Sequence, residues 1–127
     1  MDISTEEILK RFGKSWNETE LFYNDLIDHH PGFERLIPLY IFIQKLKAAG
    51  EDKHFRLGTT IQHLVFYRSA EPVLRSDQKF IKIETKDFSF EIILKDANKM
   101  YRQFTIKDLE DERFTELLQT LKALPID

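Results

Sequence analysis

Residues 80–106 read FIKIETKDFSFEIILKDANKMYRQFTI, and apolar and polar side chains alternate along them through three successive segments. Two-residue periodicity marks strands with one face toward a core and the other toward water, so this stretch predicts the body of an antiparallel sheet. Ile81 and Ile83 point inward from the first segment, with Lys82 and Glu84 outward. Phe88, Phe90, Ile92 and Leu94 share one face of the second, opposed by Ser89, Glu91 and Lys95. Met100, Phe104 and Ile106 return along the core face of the third. Lys86-Asp87 and 96–98 supply the turns, although the first lacks the glycine that tight hairpins prefer.

Upstream of this sheet, Phe55 and Leu57 alternate with Arg56 and lead to Gly58. Residues 61–67 are apolar on both parities, as a strand covered on both sides would be. Residues 70–78, with Pro72 and several charges, read as a connecting loop.

The N-terminal third is helical in pattern. Ser4 and Glu7 form a capping box with Ile3 and Ile8 as its staple, and Asn17 and Glu20 repeat the arrangement with Trp16 and Leu21. Gly13 between them can end a first helix. The expectation is therefore two helices, near residues 5–12 and 17–29, with Asp28 to Gly32 as the stop because Pro31 disfavours a helical His30. Residues 36–50 predict a third helix, with Pro38 in its first turn and Gly50 just past its end. Apolar almost all round, it should be the central buried one. A last amphipathic helix opens near Asp108, buries Phe114, Leu117, Leu118 and Leu121, and stops at Pro125. The whole chain, 1–127, is expected to be one α+β domain: N-terminal helices, an antiparallel sheet of four to five strands, and a C-terminal amphipathic helix.

Composition narrows the function classes. The 127 residues are 42% hydrophobic, with eleven phenylalanines, enough apolar area to fold without staples. The absence of cysteine removes disulfides, thiolate metal sites and a cysteine nucleophile, and a reducing cytosol is the simplest setting. The most apolar window, residues 36–43, is far shorter than the roughly 20 residues a membrane span needs. The acidic start of the chain carries no secretory signal pattern. A net charge of −3 gives no basic field for nonspecific nucleic-acid binding.

The titratable candidates are few. Asp25 and His29 share a helix face, and His30 or His54 could add a third metal ligand; the plainer reading is a solvated helix end, and no metal or other cofactor is expected. His63 would need an orienting carboxylate and a hydroxyl to act as a general base. Arg102 falls on the parity of Met100 and Phe104, which turns a charge toward the core and requires an internal partner, a sheet edge or a pocket. Arg68 and Arg75 bracket a loop that Asp77 could neutralise, but the loop has no glycine to cradle a phosphate. Phe80, Ile93 and Tyr101 fall on the outer parity of the sheet, and would form an exposed apolar patch, open to a partner or a second copy, if helices cover one face only.

The reading favours binding over catalysis. A small, acidic, cysteine-free α+β chain without a catalytic set resembles, in type alone, bacterial immunity, antitoxin and adaptor proteins. The expectation is a non-enzymatic protein-interaction domain whose acidic helix faces, Glu18, Glu20 and Asp25 together with Glu110, Asp111 and Glu112, steer a basic protein partner. The alternative is a small-ligand or nucleotide-binding domain in which Arg56, Arg68, Arg75 and Arg102 converge on one concavity.

Overall fold

A computed structural model of the chain describes residues 4–60, 63–69, 71, 78–96 and 99–126, with the side chain of Tyr101 left aside. Helix α1 spans Thr5–His29, α2 spans Ile37–Ala48 and α3 spans Glu112–Lys122. Between α2 and α3 run β1 (Arg56–Thr59), β2 (His63–Tyr67), β3 (Lys79–Thr85), β4 (Phe90–Asp96) and β5 (Lys99–Ile106). They form one antiparallel meander in the order β1-β2-β3-β4-β5. Helices segregated from consecutive strands make this an α+β fold.

Two helices were expected where α1 is continuous. The first capping box forms as read, with the Glu7 N–H donating to Ser4 Oγ at 3.2 Å. The second does not form, because Phe12, Ser15, Trp16, Thr19, Tyr23 and Leu26 make an unbroken buried stripe across the supposed gap. Keeping that stripe helical outweighs the ~1 kcal/mol that a mid-helix glycine costs. Asn17 and Glu20 are thereby left to face α2. A Cβ at Gly13 would meet no atom within 4 Å, so Gly13→Ala should raise the unfolding free energy by ~0.5–1 kcal/mol, read as a higher urea midpoint.

The core lies between the helices and one face of the sheet. Leu57, Leu64, Phe66, Ile81, Ile83, Phe90, Ile92, Leu94 and Ile106 supply the sheet side, and side chains of all three helices meet them. Helix α2 is not buried all round: Leu39, Phe42 and Ile43 face the core while Ile37 and Ile41 are exposed. Nor is β2 covered by helices on both sides. Its Leu64 and Phe66 enter the core, whereas His63 and Val65 lie half-buried on the opposite face.

Two alternations slip. The Lys86 N–H donates to the Ser89 carbonyl at 2.9 Å, so Asp87 and Phe88 form the tip of the β3–β4 hairpin and Phe88 is 93% exposed. A bulge then shifts the β4–β5 register, pairing Leu94 with Arg102 but Lys95 with Met100. Arg102 keeps the inward parity of Phe104, while Met100 moves to the outer face and is 55% exposed. Ile93 has the expected outer parity yet is buried.

The two sheet edges are treated differently. Against β1 lies α1: the Leu57 N–H donates to Ser15 Oγ at 3.0 Å, and that hydroxyl donates to the Phe12 carbonyl at 2.6 Å. At the other edge, the guanidinium groups of Arg102 and Arg113 lie 5.4 and 5.2 Å from the Phe104 ring. Charge on an edge strand discourages pairing with other chains, so the edge option is where Arg102 falls.

Candidate functional site

Helix α2 stands between α1 and the segment leading into α3, and a groove runs along each side of it. On the α3 side a groove of about 410 Å³ is floored by Phe42, Phe90 and Leu109, with Ile37 and Ile41 on its wall and Lys45, Lys107, Asp108 and Glu110 around its rim. On the α1 side a groove of about 270 Å³ is lined by Asn17, Glu20, Leu21, Asn24 and Tyr40. Leu21 is 70% exposed, Ile41 46% and Ile37 37%. These exposed side chains stand at the two grooves, Leu21 at one and Ile37 and Ile41 at the other, and the sequence reading missed them by assigning Leu21 to a staple and α2 to the interior. The available signal was the Ile37/Ile41 pair, four apart on the side of α2 opposite Leu39 and Ile43.

Four of the six anticipated acids stand beside these side chains. Glu18 and Asp25 flank Leu21 three residues before and four after it, on the same stripe of α1. Glu20 reaches Lys47 at 3.4 Å, a contact without hydrogen-bond alignment, and the Lys47 ammonium donates to Asn17 Oδ1 at 2.7 Å. Glu110 approaches Lys45 at 3.5 Å. Asp111 has a structural role: it caps α3 by accepting the Arg113 N–H, and the side-chain hydrogen bonds from Arg113 hold its carboxyl below the usual range. Glu112 is exposed in the first turn of α3.

The arginines do not share one concavity. Arg56, almost fully buried, lines a groove of about 650 Å³ between α1 and β1, where Lys10, Arg11 and Lys14 face Glu7, Glu18 and Glu71. Arg11 there pairs with Glu7 at 3.2 Å and Glu71 at 3.4 Å. Arg68 lines a separate cleft beside the end of α3, and Arg102 lies at the β5 edge. Arg75 lies outside the described residues, as does Asp77.

The histidines are likewise dispersed. The Asp25 carboxylate contacts His29 Nδ1 at 3.0 Å and His30 Nε2 at 4.0 Å, all three exposed at the end of α1. His54 belongs to a different neighbourhood, where burial and then Lys122 push its imidazole pKa down. Among the described residues no group of three or more acidic or histidine side chains could hold a metal ion. His63 has both partners that a general base would need, Glu84 at 3.5 Å from Nε2 and Thr60 Oγ1 at 3.4 Å from Nδ1. Both are already engaged. Thr60 Oγ1 accepts the His63 N–H, and Lys86 donates to Glu84 at 2.6 Å, the main reason that carboxyl is held below its usual range.

No described helix is long and apolar enough to cross a membrane. No family model matches the sequence, and neither the curated proteins nor the solved structures contain a significant match.

Proposed function

We propose that this chain is a non-enzymatic protein-interaction domain that binds a basic partner protein through the α2-centred face of its helical layer. The observation that carries this reading is the set of exposed side chains Leu21, Ile37 and Ile41, on either side of the half-buried Tyr40, with Glu18, Glu20, Asp25 and Glu110 beside them. Apolar anchors in a charged rim are how protein interfaces divide their labour: the centre supplies affinity and the border supplies orientation and encounter rate. An immunity, antitoxin or adaptor role within a reducing cytoplasm is the setting such a surface suits.

The test begins with chemical crosslinking from the intact chain to identify a partner, followed by binding kinetics on purified components. Leu21→Arg and Ile41→Asp should each weaken binding by about 30-fold, the loss of ~2 kcal/mol typical of an interface anchor, mainly through faster dissociation. Glu18→Lys with Asp25→Lys should instead slow association and flatten its dependence on salt. Leu21 of α1 and Ile41 of α2 are both exposed, so circular dichroism should show an intact fold. Affinity insensitive to Leu21→Arg and Ile41→Asp but lost on Val65→Asp or Met100→Asp would move the interface to the open sheet face and overturn the assignment.

A further inference from the structure

The β3–β4 hairpin ends in the short loop Asp87-Phe88, closed by the Lys86 N–H on the Ser89 carbonyl. Loops of this length favour glycine, asparagine and aspartate, so phenylalanine is a poor choice for the turn itself. It adds nothing to the core either: at 93% exposure Phe88 stands further into water than any other large apolar side chain described. A single exposed aromatic is ordinary on a protein surface and by itself implies no partner. This one stands beside a hole.

The groove on the α3 side of α2 has Phe90 in its floor, two residues along the same strand, or ~7 Å away at the rise of a β-strand. Phe90 pairs with Ile106, which brings Lys107, on the groove's rim, to the same end of the sheet as the hairpin tip. The groove measures about 410 Å³ and is walled by Ile37, Ile41 and Leu109, whereas an enclosed apolar cavity of roughly 150 Å³ already holds benzene. The charges around it are divided. Lys45 and Glu110 face each other at 3.5 Å, Lys86 is held by Glu84, and the Asp108 carboxylate accepts the Glu110 N–H. Asp87 beside the knob and Lys107 beside the hole are both exposed, and neither has an ion-pair partner among the described residues.

We propose that this surface binds a second copy of the chain, in a two-fold dimer where each Phe88 enters the other copy's groove and each Asp87 meets the other copy's Lys107. A two-fold pair needs a patch that complements itself, and a knob and a hole of matching chemistry, side by side with opposite charges, form one. Each phenyl ring contributes ~150–250 Å², so with the groove walls the contact falls short of the ~1,200 Å² of a standard interface. The dimer is accordingly weak, half formed near ~100 µM. It does not rest on the partner reading above. It covers Ile37 and Ile41 and leaves Leu21 open, so a second copy and a partner protein would exclude each other from the α3-side groove alone. The rival explanation is an idle hairpin tip beside an empty groove.

Sedimentation equilibrium of the intact chain from ~5 µM to ~1 mM should show monomer passing to dimer and no larger species. Phe88→Ser and Ile41→Asp should each weaken the dimer by about tenfold or more, as loss of an anchor implies. Asp87→Lys should weaken it by about fivefold, and adding Lys107→Asp should restore it by re-forming the pair with its signs exchanged. Leu21→Arg, which tests the partner reading, should leave the dimer unchanged. If Ile41→Asp does not fold, Phe88→Ser at the exposed tip and the charge exchange decide the matter. A chain monomeric at ~1 mM, open-ended growth beyond two copies, a dimer indifferent to Phe88→Ser or as sensitive to Leu21→Arg, or a charge reversal that Lys107→Asp does not repair would each overturn the assignment.

Discussion

Trp16→Ala should remove ~3–5 kcal/mol of stability, a large share of the ~5–15 kcal/mol that domains of this kind possess. Trp16 is fully buried, packs edge-on to Phe66 with ring centroids 6.3 Å apart, and donates its indole N–H to the Phe55 carbonyl at 2.8 Å. Truncation opens a cavity between α1 and β2, and leaves a buried carbonyl just before β1 without its donor. The two losses can be separated. Trp16→Phe keeps most of the ring volume and forfeits the hydrogen bond, so it should cost the smaller part, ~1–3 kcal/mol. Urea unfolding followed by circular dichroism measures both, since Trp16 is the only tryptophan and its fluorescence is lost with it. A loss below ~1 kcal/mol in Trp16→Ala would mean that α1 does not seal the core.

Alkali should unfold the protein through Tyr23. This residue is buried, its hydroxyl accepts from Thr59 Oγ1 at 3.1 Å, and burial pushes its pKa from 10.0 up to about 12, partly opposed by that hydrogen bond. A raised folded pKa means the unfolded chain releases its proton first as pH rises. The associated stability is therefore intact below pH ~10, falls as pH climbs toward ~12, and is gone above it. Two pH units correspond to ~2.7 kcal/mol. Tyr67, also raised by burial and partly countered by Arg56, acts in the same direction. Urea midpoints measured across this range should decline, and the decline should be markedly shallower in Tyr23→Phe. An unchanged slope in that variant would assign the alkaline loss to other groups.

Local patterns were legible wherever the chain's own neighbours settle the outcome. Ser4 and Glu7 announced the start of α1, and Pro38 and Gly50 bracketed α2, with Gly50 adopting the left-handed φ of 86° that glycine tolerates. Inward alternation at Ile81, Ile83, Phe90, Ile92 and Leu94 held because a one-residue slip would turn the whole set to water. Gly13 and Asn17 misled because a stop signal worth about 1 kcal/mol competes with a buried stripe worth several. Phe88 misled because the hairpin loop is set by which amide meets which carbonyl, here Lys86 with Ser89. The bulge displacing Met100 leaves no mark in the alternation, as it depends on the fit of β5 to β4.

The candidate site followed the same division. Acidic residues could be named from the sequence, but not their internal partners: Asp111 goes to cap α3, while Glu18 and Asp25, beside an exposed Leu21, contact Lys14 and His29. Sequence by itself determined the fold class, most strand faces, the α3 core stripe and the exclusion of thiol chemistry, because these rest on periodicity and composition. Tertiary structure alone decided that α1 is one helix, that α2 turns Ile37 and Ile41 outward, and that Arg56, Arg68 and Arg102 stand apart. Those outcomes depend on what lies opposite a side chain across the core or a groove, a distance in space for which spacing along the chain carries no information.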